Sequence, residues 1–412
     1  MKQRKKSAAG WTVLFVLLAV LSLLCTAAIY LRVWERLPAS LAAPTGTIAP
    51  ETLAQTEPPV STQPVQTTQP EPTQPQVSTL TLVAVGDNLI HNMVYRSGQF
   101  SDDNWNYDHL YAQVKDDIQA ADLAVINQET MFVSDHANVS SYPLFGTPRE
   151  IGDAVYEAGF DVILHATNHV MDMGIENIYD AIDYWSDKDV TVLGIHKSEA
   201  DARTPAIVEK NGIRLGMLNY TYGMNGFQLP EDQPYAVDLL DNEEKLLADI
   251  AYCEENADLT VCFLHMGTEY ATTPSAAAKE QVLQCVQAGA DLLICCHPHV
   301  LEPYETVTAD NGNQAVVYYS LGNFISAQDQ FDRLIGGMAQ VTIRKTVSDG
   351  RTTVEITDYS MTPLVTHTAT GTDYAVYKLD DYTDELAARN LLVHMTTQRI
   401  WQRYHEIVGE DG

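Results

Sequence analysis

From Leu80 to Tyr319, short apolar runs rich in β-branched residues alternate with helix-like stretches, and run after run ends in a polar cluster. The alternation predicts a mixed α/β fold, α+β layered, with crossover connections. Strands are expected at 80–85, 123–126, 162–164, 191–193, 215–218, 259–264, 292–295 and 316–319. The run ending at Val85 is followed by Gly86-Asp87, and that ending at Ile126 by Asn127-Gln128-Glu129. Leu164 precedes His165-Ala166-Thr167-Asn168-His169, and Leu264 precedes His265-Met266-Gly267. The last two runs lead into His297-Pro298-His299 and Ser320-Leu321-Gly322-Asn323. Ligands of α/β sheets bind beyond the carboxyl ends of the strands, so these groups converge although they are far apart in sequence.

Asp, Glu, Asn and several His at equivalent strand ends make a mixed nitrogen and oxygen donor set without thiolate. Such a set suits Mn, Fe or Zn. If the chain at 297–299 is extended, both imidazoles point the same way and Pro298 stiffens them. Five cysteines, Cys253, Cys262, Cys285, Cys295 and Cys296, follow the N-terminal region in an odd number without repeating spacing. They imply no disulfide framework and read as small buried hydrophobes. Helices are expected at 148–158, closed by Gly159, and at 274–288, closed by Gly289. Beyond Gly337 two strands at 338–346 and 352–358 form a hairpin, and 384–407 reads as one amphipathic helix with Leu391, Met395 and Trp401 on one face.

The N-terminal 10 residues are basic. The following run, 11–31, is uncharged up to Leu31 and long enough to span a bilayer. We read it as a signal anchor with a cytoplasmic N-terminus, which makes the cell membrane a partner. Ser40-Leu41-Ala42 leaves cleavage as the rival reading. Residues 32–78, rich in Pro, Thr and Gln, read as an extended stalk. The folded domain is expected over 79–340, completed by strands and a helix over 341–412. The net charge is −31, and residues 1–36 contribute +5, so the remainder carries −36. That excludes nucleic acid as a partner and requires a local cationic centre for any anionic substrate. No Gly-x-Ser-x-Gly elbow or Walker loop is present.

The segments GDNLIH (86–91), ADLAVINQE (121–129), AGFDVILHATNHVMDMG (158–174), FLHMGTEY (263–270), AGADLLICCHPHV (288–300) and YYSLGNF (318–324) resemble, in order, the motifs of the CapA family of capsule and poly-γ-glutamate biosynthesis proteins. The resemblance implies a calcineurin-like metallophosphoesterase sandwich, two sheets flanked by helices, that holds two divalent ions. By it, Asp87 ligates one metal, Glu129 bridges, Asn168, His265 and His297 serve the second, and His299 returns to the first. His169 becomes the proton donor, and Asp172 orients its loop. Two departures stand out: Leu89 occupies the place where phosphoesterases carry a His, and the bridging acid is Glu rather than Asp. His91 follows two residues later and is assigned, with Glu269, Tyr270 and Asn323, to the substrate side of the cleft.

The function so implied is metal-dependent phosphoester hydrolysis in the making of a cell-surface polymer. Its partners would be an anionic polymer or its phosphorylated precursor and other capsule-synthesis membrane proteins. The alternative is a non-catalytic assembly or export factor that binds the polymer with the same fold.

Overall fold

The computed structural model describes residues 74–101 and 104–409. The expected anchor, and the stalk up to residue 73, lie outside the described residues. Among the described residues no helix is long and apolar enough to cross a membrane.

Two sheets face each other. In the larger, Gln76–Asn88 lies between the antiparallel Ile335–Ser348 and the parallel Leu123–Asn127. Val162–Leu164 and Thr191–Leu193 extend one side in parallel, Arg351–His367 and Ala375–Lys378 the other in antiparallel fashion, and Asn323–Ile325 pairs with the end of the first strand. The second sheet runs Tyr304–Thr308, Gln314–Tyr318, Leu292–Cys296, Leu259–His265, Ile213–Thr221, Ala206–Lys210, with its four central strands parallel.

The period of two along each strand accounts for the layering. Leu80, Leu82, Ala84 and Val125 turn inward and meet Leu215, Met217, Val261, Phe263 and Ile294 of the other sheet. The intervening Val83, Val85 and Ala124 turn outward onto Ile151 and Val155 of the helix Arg149–Ala158. On the far side, Leu218, Cys262, Leu264, Leu293 and Cys295 are covered by Ile250 of Glu243–Asn256 and by Val282 and Val286 of Ala276–Ala288. The protein is therefore a helix–sheet–sheet–helix sandwich. All five cysteines described are buried and free, and serve as core side chains.

The two expected helices form with Pro148 and Ser275 as N-caps and with Gly159 and Gly289 at positive φ as C-caps. The C-terminal region differs from expectation: two helices, Asp384–Arg389 and Thr397–Val408, replace one. Asn390 breaks the run, because its amide turns inward to donate to the Thr366 carbonyl (2.9 Å) and the Tyr382 hydroxyl (3.1 Å). Thr396 then caps the second helix through the Arg399 N–H. Leu391 is exposed, so it shares no buried face with Met395. The hairpin strands are longer than expected, since Ile335–Ser348 pairs with Arg351–His367 along its whole length and with the first strand over 338–347, and turns at Asp349-Gly350, both at positive φ.

Candidate metal centre

Parallel strands carry their polar ends to one edge of the sandwich, and Gly86 sets how closely they meet there. A Cβ at Gly86 would sit 1.9 Å from the Gly322 carbonyl oxygen. Glycine alone permits that approach, and it lets the Asp87 N–H donate to the same oxygen at 2.9 Å. Asp87 is fully buried; its carboxylate accepts from Asn127 Nδ2 (2.8 Å) and, more loosely, from the His297 N–H (3.3 Å), and its Oδ2 lies 2.9 Å from His299 Nδ1.

The His-Pro-His segment is not extended: His297 has φ 104° and His299 φ 60°. Each side chain held in this left-handed region costs on the order of 1–3 kcal/mol, so the surrounding contacts must impose it. What the bend achieves is visible in the contacts. It aims the His297 N–H and the His299 ring at Asp87, and sets the His297 ring 5.0 Å from that of His265.

Glu129 is the group that needs a partner. It is wholly buried and neither carboxylate oxygen accepts a hydrogen bond. The nearest imidazole nitrogens, His299 Nε2 and His265 Nε2, stand 3.8 and 3.9 Å from Oε1. Burial, and then the Asp87 charge, raise its carboxyl well above the ordinary range. Burial opposes protonation of His299, but Glu129 and Asp87 outweigh it and push that imidazole up to about 9. Burial and neighbouring imidazoles hold His265 well below its usual value and His297 down at about 4, so both offer neutral nitrogen donors. His297 Nδ1 is also buried and unpartnered. Orphaned buried oxygens and a free ring nitrogen converging on one point are what a divalent cation would satisfy.

Two triads have ligand atoms mutually within 4.8 Å: Asp87, Glu129 and His299, and Glu269, His297 and His299. The structure thus brings Glu269, which sequence reasoning had put on the substrate side, within ligand distance of two histidines. Asn168 Oδ1 accepts from His265 Nε2 at 2.9 Å. His169 places Nδ1 2.7 Å from Asp172 Oδ2, which also accepts from the Phe145 N–H (2.8 Å). Asp172 caps no helix; Gly174 precedes the helix Ile175–Ser186 instead.

The remaining expected residues lie around this core. His91 packs edge-on against Phe145, whose ring also meets His169, and burial lowers its imidazole to about 4. Leu89, at the place of the missing His, is buried and apolar. Tyr270 is half-exposed, its ring 6.0 Å from that of His299. Asn323 has its amide engaged by the carbonyls of His299 (3.2 Å) and Arg333 (3.0 Å), which makes it a staple between two loops. His165 stands apart, accepting from Trp185 Nε1 at 2.9 Å behind the sheet edge.

Four contributors were not assigned from sequence: Asn127, Tyr222, Asn225 and Phe145. Tyr222 stacks obliquely on His297 at 4.6 Å, and Asn225 accepts from Asn168 Nδ2 at 3.2 Å. Both follow the strand Ile213–Thr221, so the strand-end rule extended to that strand finds them. Phe145 follows no strand and carries no such signal.

A buried cluster of carboxylates and imidazoles at the strand ends of an α/β sandwich defines a protein with a candidate divalent-metal centre. Residues 81–328, well over half of the chain, match the family described as bacterial capsule synthesis protein PGA_cap, and the chain belongs to that family. It is 32% identical over 180 residues to the capsule biosynthesis protein CapA of Bacillus anthracis, covering 42% of each chain. It is 28% identical over 226 residues to the PGA biosynthesis protein CapA of Bacillus subtilis, covering 54% of this chain and 56% of that one. The matches thus span about half the length of these relatives. Among solved structures, a candidate 5′-nucleotidase of Staphylococcus aureus is 14% identical with a TM-score of 0.43, covering 69% of this chain and 54% of that one, a likeness too loose to add to the fold described above.

Proposed function

We propose that the chain is a membrane-anchored, metal-dependent phosphoester hydrolase acting outside the cytoplasm in the synthesis of a capsule or poly-γ-glutamate polymer. The observation that carries the reading is Glu129, a fully buried carboxylate with both oxygens unpaired, facing Asp87, His265 and His299. Asp87, Glu129, Asn168, His265, His297 and His299 would hold two divalent ions, of Mn, Fe or Zn, with Glu269 in reach. Bound there, such ions supply Lewis-acid charge to phosphoryl oxygens and lower the pKa of water. The chain's own residues do the rest. Asp172 fixes the His169 ring through Nδ1, leaving Nε2 to exchange a proton with the leaving oxygen. Phe145 walls that ring on one side and keeps water from it.

The second reading, a polymer-handling factor without turnover, is favoured by Leu89, a buried apolar residue at the position where, by the resemblance, phosphoesterases carry a ligand His. The full chain assayed with Mn²⁺ on phosphomonoesters and phosphodiesters decides between them. We expect turnover that falls by at least ~10²-fold in Asp87→Ala and His297→Ala. Metal uptake without turnover on any phosphoester would leave the polymer-handling role.

A further inference from the structure

On the Tyr270 side of the metal centre lies an open cavity of about 710 Å³, lined by Tyr270, Phe331, Asp332, Arg333, Arg399 and Arg403 among others. Three arginines in one groove are unexpected in a chain with 24 basic and 55 acidic residues. They are not equivalent. Arg403 is neutralised by a two-pronged pair with Asp332 (2.9 and 2.8 Å) and by Glu406 (3.2 Å). Arg333 and Arg399 have no carboxylate partner among the described residues. Each guanidinium lies instead over an aromatic ring, Arg333 3.5 Å from the centre of Tyr270 and Arg399 4.1 Å from that of Phe331.

Stacking on a ring fixes a guanidinium while leaving its N–H edge unused, and that edge matches a carboxylate or phosphate in two-point contact. A surface arginine that merely solvates the chain is free to move and needs no aromatic seat. The groove is also tied to the metal centre. Asn323 Nδ2 donates to the carbonyls of both His299 and Arg333, and the Tyr270 ring that seats the Arg333 guanidinium has its centre 6.0 Å from that of His299.

We infer that Arg333 and Arg399, seated on Tyr270 and Phe331, form an oxyanion subsite that holds a second anionic group of a polyanionic strand whose reacting group lies at the metal centre. The subsite rests on the proposed hydrolase reading only for what happens at the neighbouring centre; binding of the strand does not require turnover.

The test is binding of fluorescein-labelled hexaglutamate to the full chain, followed by anisotropy at low ionic strength in Mn²⁺ and again in EDTA. The Arg333→Gln/Arg399→Gln double variant should weaken binding ~10-fold or more, with metal content and melting temperature unchanged. Lys345→Gln, which removes one positive charge from an ion pair with Asp258 elsewhere, should leave binding within about twofold, allowing for screened long-range effects. Displacement by glutarate or by inorganic phosphate tells which oxyanion the subsite prefers. Equal binding by wild type and double variant, or no saturable binding, would overturn the subsite. Arginine-dependent binding in a protein that turns over no phosphoester would retain the subsite and remove the hydrolase.

Discussion

At the residue level the most informative contrast is between His169 and the histidines around it. His265 and His297 are neutral donors set by burial, and two other imidazoles are gripped through Nδ1 by an anchored carboxylate: His299 by Asp87, itself in the proposed ligand set, and His169 by Asp172, which the Phe145 N–H anchors. What separates His169 is that Asp172 lies outside the two ligand triads, so its grip orients the ring and leaves Nε2 free to move a proton. Asp172→Asn should therefore lower turnover by on the order of 10²-fold on alkyl phosphates, and by less on p-nitrophenyl phosphate, whose leaving group needs no proton. Metal content measured on the same sample should not change; an equal loss on both substrates would assign Asp172 to folding alone. Asp87, Glu129, Asn168, His265, His297 and His299 were legible because each follows an apolar strand. The bend at His297 was not, since an extended His-Pro-His segment and a left-handed one read alike without the Asp87 carboxylate that imposes the bend. Phe145 was invisible for a related reason: its part depends on a loop brought back by Asp172, a contact across 27 residues.

Among elements, the first strand and the Ser320–Asn323 turn govern the site. Their contact at Gly86 and Gly322 is backbone on backbone, so there is no side chain to move aside. Gly86→Ala should cost about 1–3 kcal/mol, read as a drop of roughly 2–4 °C in melting temperature per kcal/mol. Metal affinity should fall with it, because Asp87 donates to the same carbonyl; an unchanged melt would mean that the two segments are not held as described. Eight strands of the two sheets were legible from β-branched runs, with the hairpin after them, and the ends of two helices from Pro and Gly; Ala206–Lys210, Tyr304–Thr308, Asn323–Ile325 and Ala375–Lys378 were not read from sequence. The C-terminal helix was misread because its periodicity continues through Asn390, and only the tertiary bonds to Thr366 and Tyr382 reveal that residue as a breaker.

For the whole molecule, the acidic surface and the buried cluster combine into one requirement. A domain carrying −36 beyond residue 36 would repel an anionic polymer everywhere except where cations are fixed. The arginine groove is one such place among the described residues, and the strand-end cluster beside it becomes another when it holds its metal. The sandwich itself follows from alternation, but the closeness of the groove to the metal centre does not, since residues near 270, 333 and 399 meet only in three dimensions. If Glu129 and its neighbours hold a metal, the purified protein contains it. Elemental analysis of the purified full chain before and after Mn²⁺ or Zn²⁺ loading, with Glu129→Gln in parallel, measures this. The wild type should carry one to two tightly held ions per chain and melt at a higher temperature once loaded, and the variant should lose both. A wild-type chain that carries no metal, takes none up and melts at the same temperature with or without the ions would contradict a metal centre at Glu129.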